Sequence, residues 1–115
     1  MIKWNYLTDK AALEAIVDHS RVQACLIFKH STRCSLSAIA KHRIENDWDF
    51  SEQDLSPFLL DLISFRDLSG LVSSEFGIQH ESPQVLLIKD GKCVYTTSHL
   101  NINVAELHDN VGNLV

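Results

Sequence analysis

Phe28-Lys29-His30-Ser31-Thr32-Arg33-Cys34-Ser35-Leu36-Ser37 is the stretch on which the reading of this 115-residue chain turns. It opens at the end of the apolar run Cys25-Leu26-Ile27-Phe28, which is short, continuous and suited to a buried strand. A polar turn follows, then a cysteine, then residues 35–44 with Leu36, Ile39, Ala40 and Ile44 near helical spacing. The thiol of Cys34 is therefore expected where a helix begins. Peptide N–H groups there lack intrahelical acceptors and the helix dipole presents its positive end, both of which favour a thiolate. Lys29, His30 and Arg33 bring cationic side chains into the neighbourhood, His30 and Arg33 being expected in the exposed turn. Strand, turn and first-turn cysteine together point to redox chemistry.

Upstream, Thr8 is the expected N-cap of a helix over residues 9–18, with Leu13, Ile16 and Val17 on its apolar face. The strand that leads to Cys34 is expected over residues 22–28. Downstream, residues 47–57 keep no period and read as a connection, in which Trp48 is expected to pack rather than to form a partner patch with Asp47 and Asp49. A strand over 58–63 and a helix over 65–76 come next, with Leu68, Leu71, Val72 and Phe76 on one side and Gly77 as the residue that ends the helix. Pro83 precedes an apolar strand at 84–89, and Asp90-Gly91 is a hairpin turn into a strand at 92–97. A short helix over 103–110, with Val111 just beyond, closes the chain. The order α-β-α-β-α-β-β-α implies an α/β fold with a central mixed sheet flanked by helices.

Composition narrows the class. A chain of 115 residues builds one hydrophobic core, so residues 1–115 are read as a single domain. Its hydrophobic fraction of 45% and charged fraction of 22% are those of an ordinary globular protein. A net charge of −5 without a Lys/Arg cluster argues against nucleic acid as partner. No run approaches the roughly 18–20 apolar residues of a membrane span, and no apolar leader follows Met1. Three cysteines, odd in number and without close-pair spacing, fit a reducing cytoplasm better than a secreted disulfide framework. The six histidines are scattered without HExxH or paired ligand spacing, so no metal site is expected.

The element order, with a cysteine at the start of the second helix and Pro83 before the hairpin, resembles a thioredoxin-like fold over nearly the whole chain. Three pieces are similar to the monothiol bacilliredoxin family: Phe28 to Cys34, Ser82-Pro83-Gln84-Val85 with its apolar continuation, and Ser98-His99. That resemblance implies Cys34 as the nucleophile and Pro83 as a cis-proline facing it. It also implies that Ser82 and Gln84 help form a platform for an extended substrate segment. The family typically carries proline directly after its cysteine, where this chain has Ser35 followed by Leu36. The loop loses that stiffening, which is expected to change the redox poise of the thiol without removing the nucleophile.

A two-cysteine thioredoxin motif resolves its mixed disulfide with a second thiol three residues on, where this chain has Ser37. A hydroxyl can hydrogen-bond a thiolate but cannot resolve a disulfide, so Cys34 is expected to work by a monothiol route. It would take a low-molecular-weight thiol from a protein mixed disulfide and need a second thiol for regeneration. The resemblance supplies bacillithiol as that co-substrate and bacillithiolated client proteins as partners. The residues by themselves do not choose it over glutathione or coenzyme A, and they imply no bound cofactor. Arg33, Ser37 and His99 are the candidates for tuning the thiolate or protonating a leaving thiol. Cys25 and Cys93 are expected to be packing residues. Two alternatives stand beside this reading: a thioredoxin-fold binding module without turnover, and a redox sensor or reductase using another small thiol.

Overall fold

The structure is a computed structural model that describes residues 1–114. In chain order it comprises β1 (Asn5–Tyr6), α1 (Lys10–His19), β2 (Cys25–His30), α2 (Ser35–Asp47), β3 (Ser56–Asp61), α3 (Arg66–Phe76), β4 (Gln84–Lys89), β5 (Lys92–Ser98), a 3₁₀ turn (His99–Asn101) and α4 (Val104–Gly112). The strands form one sheet in the order β1-β3-β2-β4-β5. The β1, β3 and β2 strands run parallel, whereas β2–β4 and β4–β5 are antiparallel. The expected mixed sheet between helices is the one observed.

Burial explains the composition of the strands. All six residues of β2 are buried, and alternation divides them between two cores. Leu26 and Phe28 join Ala40, Ile44, Leu59, Val85, Leu87 and Leu107 on the face covered by α2 and α4. Cys25 and Ile27 join Leu13, Ile16, Leu60, Leu68, Val72, Leu86 and Ile88 on the face covered by α1 and α3. A strand covered on both faces loses the alternating polar signature, which is why β2 and β4 read as continuous apolar runs.

The differences from the expected elements are local. Asp9, not Thr8, caps α1, its carboxylate accepting the Ala12 N–H at 2.7 Å. The second strand starts at Cys25 and runs through His30, so Lys29 and His30 belong to the sheet and not to the turn. The two-residue β1, too short to show a period, and the 3₁₀ turn at His99–Asn101 were not expected. Ile39 and Leu71, assigned to apolar helix faces by spacing, are 46% and 41% exposed. The polar residues Ser37 and Ser69 are buried on those helices. Trp48 packs against Trp4 and Phe50, with ring centroids 6.5 and 4.9 Å away, in the α2–α4 core.

Two turns conform to the sequence chemistry. Asp90 and Gly91 have φ of 54° and 74°, so both central residues of the β4–β5 hairpin are left-handed, as a type I′ turn demands. Gly77 closes α3 at φ 63°, its N–H returning to the Ser73 carbonyl.

Candidate active site

Strands β2 and β3 point their C-terminal ends, and the antiparallel β4 its N-terminal end, toward the same edge of the sheet. Ligands of open α/β sheets gather at such an edge. Here it carries Cys34, Pro83 and the 3₁₀ turn. Cys34 is the N-cap of α2, with extended backbone (φ −107°, ψ 120°) and no side-chain capping bond. Its N–H donates to the Ser31 carbonyl at 3.2 Å, and its own carbonyl accepts the Ala38 N–H at 3.1 Å. The thiol is half-buried, at the end of a helix whose first turn contains no acidic residue. The Ser82–Pro83 peptide is cis. The Pro83 carbonyl accepts the His99 N–H at 2.9 Å, tying the turn after β5 to the proline.

His30 ends β2 on the same face as Phe28, on which its ring stacks at 5.6 Å. It is 7% exposed, so the expectation of an exposed turn histidine is corrected: the strand simply continues two residues beyond Phe28. Its Nδ1 lies 2.6 Å from the Ser37 Oγ, and that oxygen also accepts the Ser31 N–H at 3.0 Å. Ser37 is thus fully buried beneath the turn, with its hydrogen bonds made to His30 and Ser31. Because Ser31 in turn accepts the Cys34 N–H, the chain His30–Ser37–Ser31 holds the turn that carries the thiol. Burial, followed by the Lys41 charge, lowers the His30 pKa against the opposing pull of Asp61 and Glu45, so the ring is neutral at pH 7.

Lys29 points to the other face. Its side chain is fully buried, with Nζ 3.1 Å from Ser73 Oγ, 3.2 Å from His80 Nδ1 and 3.4 Å from the Ser69 carbonyl. Burial lowers its pKa to about 8. One residue of alternation therefore separates two buried basic side chains, one under α2 and one under α3.

The remaining site candidates take distinct places. Arg33 is exposed and makes no ion pair among the described residues. His99 has φ 57° and Nε2 3.4 Å from Glu81 Oε2. Ser82 lines a cavity of about 410 Å³ on the α3 side of the turn. Gln84 is 2% exposed and faces inward, donating to the Gln79 carbonyl and Thr96 Oγ1 while accepting the Glu81 N–H. Its side chain holds the loop before Pro83 in place. The larger cleft, about 510 Å³ among Lys3, His19, Gln23 and Trp48, lies at the opposite end of the sheet and is lined by no thiol.

Cys25 and Cys93 are also at that far end. Both are register partners of Ile88, Cys25 across β2–β4 and Cys93 across β4–β5. Burial pushes the Cys25 thiol up to about 11 and raises that of Cys93. His30 lies five strand steps of about 3.3 Å each beyond Cys25, and Cys34 lies past His30. That span exceeds the roughly 7 Å between Cα atoms that a disulfide tolerates. All three thiols are free.

A cysteine at the start of a helix, at the same sheet edge as a cis-proline that precedes an antiparallel strand pair, defines a thioredoxin-fold protein. Solved thioredoxins share the architecture: that of Trypanosoma brucei brucei aligns with TM-score 0.75 over 97% of this chain and 90% of its own, at 9% identity. That of Fasciola hepatica aligns with TM-score 0.71 over 95% and 97%, at 16% identity. A candidate oxidoreductase with a thioredoxin fold is 27% identical, with TM-score 0.78 over 91% of this chain and 90% of that one. Residues 5–107 match the family described as monothiol bacilliredoxin BrxC. The chain belongs to the monothiol bacilliredoxin family. Family and fold neighbours together support a thiol oxidoreductase-like role. The described residues contain no helix long and apolar enough to cross a membrane.

Proposed function

We propose that this protein removes a low-molecular-weight thiol, bacillithiol by its family, from mixed disulfides on the cysteines of client proteins. The observation that carries the reading is the separation of the three thiols. Cys34 stands alone at the helix start, at the sheet edge that also carries Pro83, with Ser37 where a resolving cysteine would be, and both other sulfurs lie at the far end of the sheet. The Cys34 thiolate attacks the small thiol's sulfur in the client disulfide. The new S–S bond joins Cys34 to the small thiol, and the client cysteine leaves as a thiolate that then takes up a proton. No net oxidation occurs in this step. A second small thiol then attacks the adduct, restoring Cys34 and carrying away the disulfide. We assign the protonation of the departing client thiolate to His99, whose backbone N–H bonds the Pro83 carbonyl and whose ring pairs with Glu81. We place this chemistry in a reducing, cytoplasm-like compartment, consistent with three free thiols.

The test is transfer from a bacillithiolated reporter protein, followed by intact mass and peptide mapping of wild type and Cys34→Ser. The expected result is a bacillithiol adduct on Cys34 as the reporter thiol is released, and none in Cys34→Ser. No transfer to a reduced, accessible Cys34 would instead favour a binding module. Equal transfer from glutathionylated reporter would favour a general reductase.

A further inference from the structure

On the α3 side of the Cys34 turn lies the 410 Å³ cavity, with Ser31, Arg66, Ser69, His80 and Ser82 among its lining residues. Its volume falls in the range of small-molecule sites. It shares its walls with the reactive turn: Ser31 accepts the Cys34 N–H, and Ser82 precedes Pro83. Behind the wall sits the fully buried Lys29, bonded to the Ser69 carbonyl and to His80 Nδ1.

The charge balance around this cavity is one-sided. Among the described residues neither Lys29, Arg66 nor His80 has a carboxylate within ion-pair distance, although the chain as a whole carries a net charge of −5. Of the acids near Arg66 and His80 in sequence, Asp61 bonds the Ile63 N–H and the Ser64 hydroxyl, Glu81 pairs with His99, and Asp67, in the first turn of α3, does not line the cavity. A buried ammonium without a counter-charge is costly, and a well-packed apolar side chain would fill the same space more stably. The Lys29 ammonium donates to His80 Nδ1, which fixes that nitrogen as the acceptor and leaves Nε2–H as a donor on the side away from Lys29. The Ser31 and Ser82 hydroxyls make no hydrogen bond among the described residues. The cavity therefore offers a guanidinium, an imidazole N–H and hydroxyls over a buried positive charge, and lacks an anion.

We propose that this cavity seats the carboxylate-bearing end of the low-molecular-weight thiol, held by Arg66 and His80 above Lys29 while its sulfur meets Cys34. The assignment rests on the thiol-transfer reading, and the experiment separates the two. In the first arm, isotope-labelled Cys34→Ser chain, which performs no chemistry, is titrated with succinate and with succinamide. Succinate should give saturable amide shifts centred on Ser31, Arg66, Ser69, His80 and Ser82, weakened about tenfold in Arg66→Gln, and succinamide should give none. Absence of saturable shifts, or shifts that survive Arg66→Gln and His80→Gln alike, would overturn the site whatever the transfer assay shows.

In the second arm, one reporter protein is charged with 3-mercaptopropionate or with its amide, two small thiols that differ only in charge. The wild-type kcat/KM should favour the carboxylate by about tenfold, and Arg66→Gln should reduce that ratio to near one. Lys10→Gln, on the exposed start of α1, should keep the wild-type ratio. A ratio near one in wild type, with succinate still bound, would show an anion pocket that serves something other than the small thiol and would overturn the assignment. Transfer failing for both donors while succinate binds would break the transfer reading, and with it the placement of the thiol's sulfur.

Discussion

Cys25 and Cys34 bracket the same strand and have opposite surroundings. Cys25 opens β2 inside the α1–α3 core, with no exposed surface and a thiol that burial holds at about 11. Cys34 lies beyond the strand's other end, half-buried, as the cap of a helix whose first N–H groups have no intrahelical acceptor. The chemistry of a sulfur in this fold thus follows from which end of the sheet it occupies. The C-terminal edge of β2 opens into a turn and a helix start, whereas at its N-terminal end the Cys25 side chain is enclosed in the α1–α3 core.

The sharpest way to break this comparison is to exchange the roles of the two sulfurs. Cys34→Ser is expected to lower small-thiol transfer by about a thousandfold or more, since it removes the nucleophile itself. Cys25→Ala should leave the transfer rate per folded molecule within about twofold while costing about 1–2 kcal/mol in urea unfolding. A Cys25→Ala protein that folds but transfers nothing would show that the wrong sulfur was chosen.

Alkylation reads the same contrast without mutation. At pH 8 a thiol held at about 11 is ionised to about one part in a thousand, so iodoacetamide should label Cys34 about a hundredfold faster than Cys25. The raised Cys25 pKa also has a linkage consequence. Between pH 9 and 11 the unfolded thiol loses its proton and the folded one keeps it, so stability should fall as pH rises through that window. Replacing Cys25 with Ala should flatten this fall in a series of denaturant titrations.

A smaller effect tests the support beneath the turn. Ser37→Ala leaves His30 Nδ1 and the Ser31 N–H without their shared partner in a buried place. It should cost about 1–3 kcal/mol in urea unfolding. The loss should be larger than that of Ser35→Ala on the exposed side of the same helical turn. Equal losses would mean that Ser37 does not hold the Cys34 turn.

The smallest expected change concerns Lys29. Its folded pKa, near 8, lies below the ordinary lysine value, so the penalty for its buried charge is fully present below pH 8 and disappears as pH rises toward 10.5. Lys29→Met should therefore gain about 1 kcal/mol over wild type at pH 7 and lose that advantage by about pH 10. A constant difference between the two proteins across this range would show that Lys29 is not buried as a charge.

Much of this arrangement was legible before any tertiary contact was known. The continuous apolar runs before Cys34 and after Pro83 identified two doubly covered strands, and Asp90-Gly91 identified the hairpin, because these signals are local. The position of Cys34 at a helix start followed from the change of period on either side of it. The absence of a second thiol at Ser37 was a matter of spelling. Helix faces were less legible: Ile39 and Leu71 satisfied the spacing yet face solvent, while Ser37 and Ser69 are buried because their hydroxyls find partners across the structure.

What the chain's order of residues determined by itself was the four helices, four of the five strands, and a single cysteine at a helix start with Ser37 in place of a second thiol. Only the tertiary structure decided that Lys29 and His30, adjacent in sequence, serve opposite faces of the sheet. Only it brought Arg66 and His80 around one cavity beside the Cys34 turn. The reason is physical: strand and helix signals depend on neighbours a few residues away, whereas burial of a charge depends on groups such as Ser73 and His80, 44 and 51 residues distant.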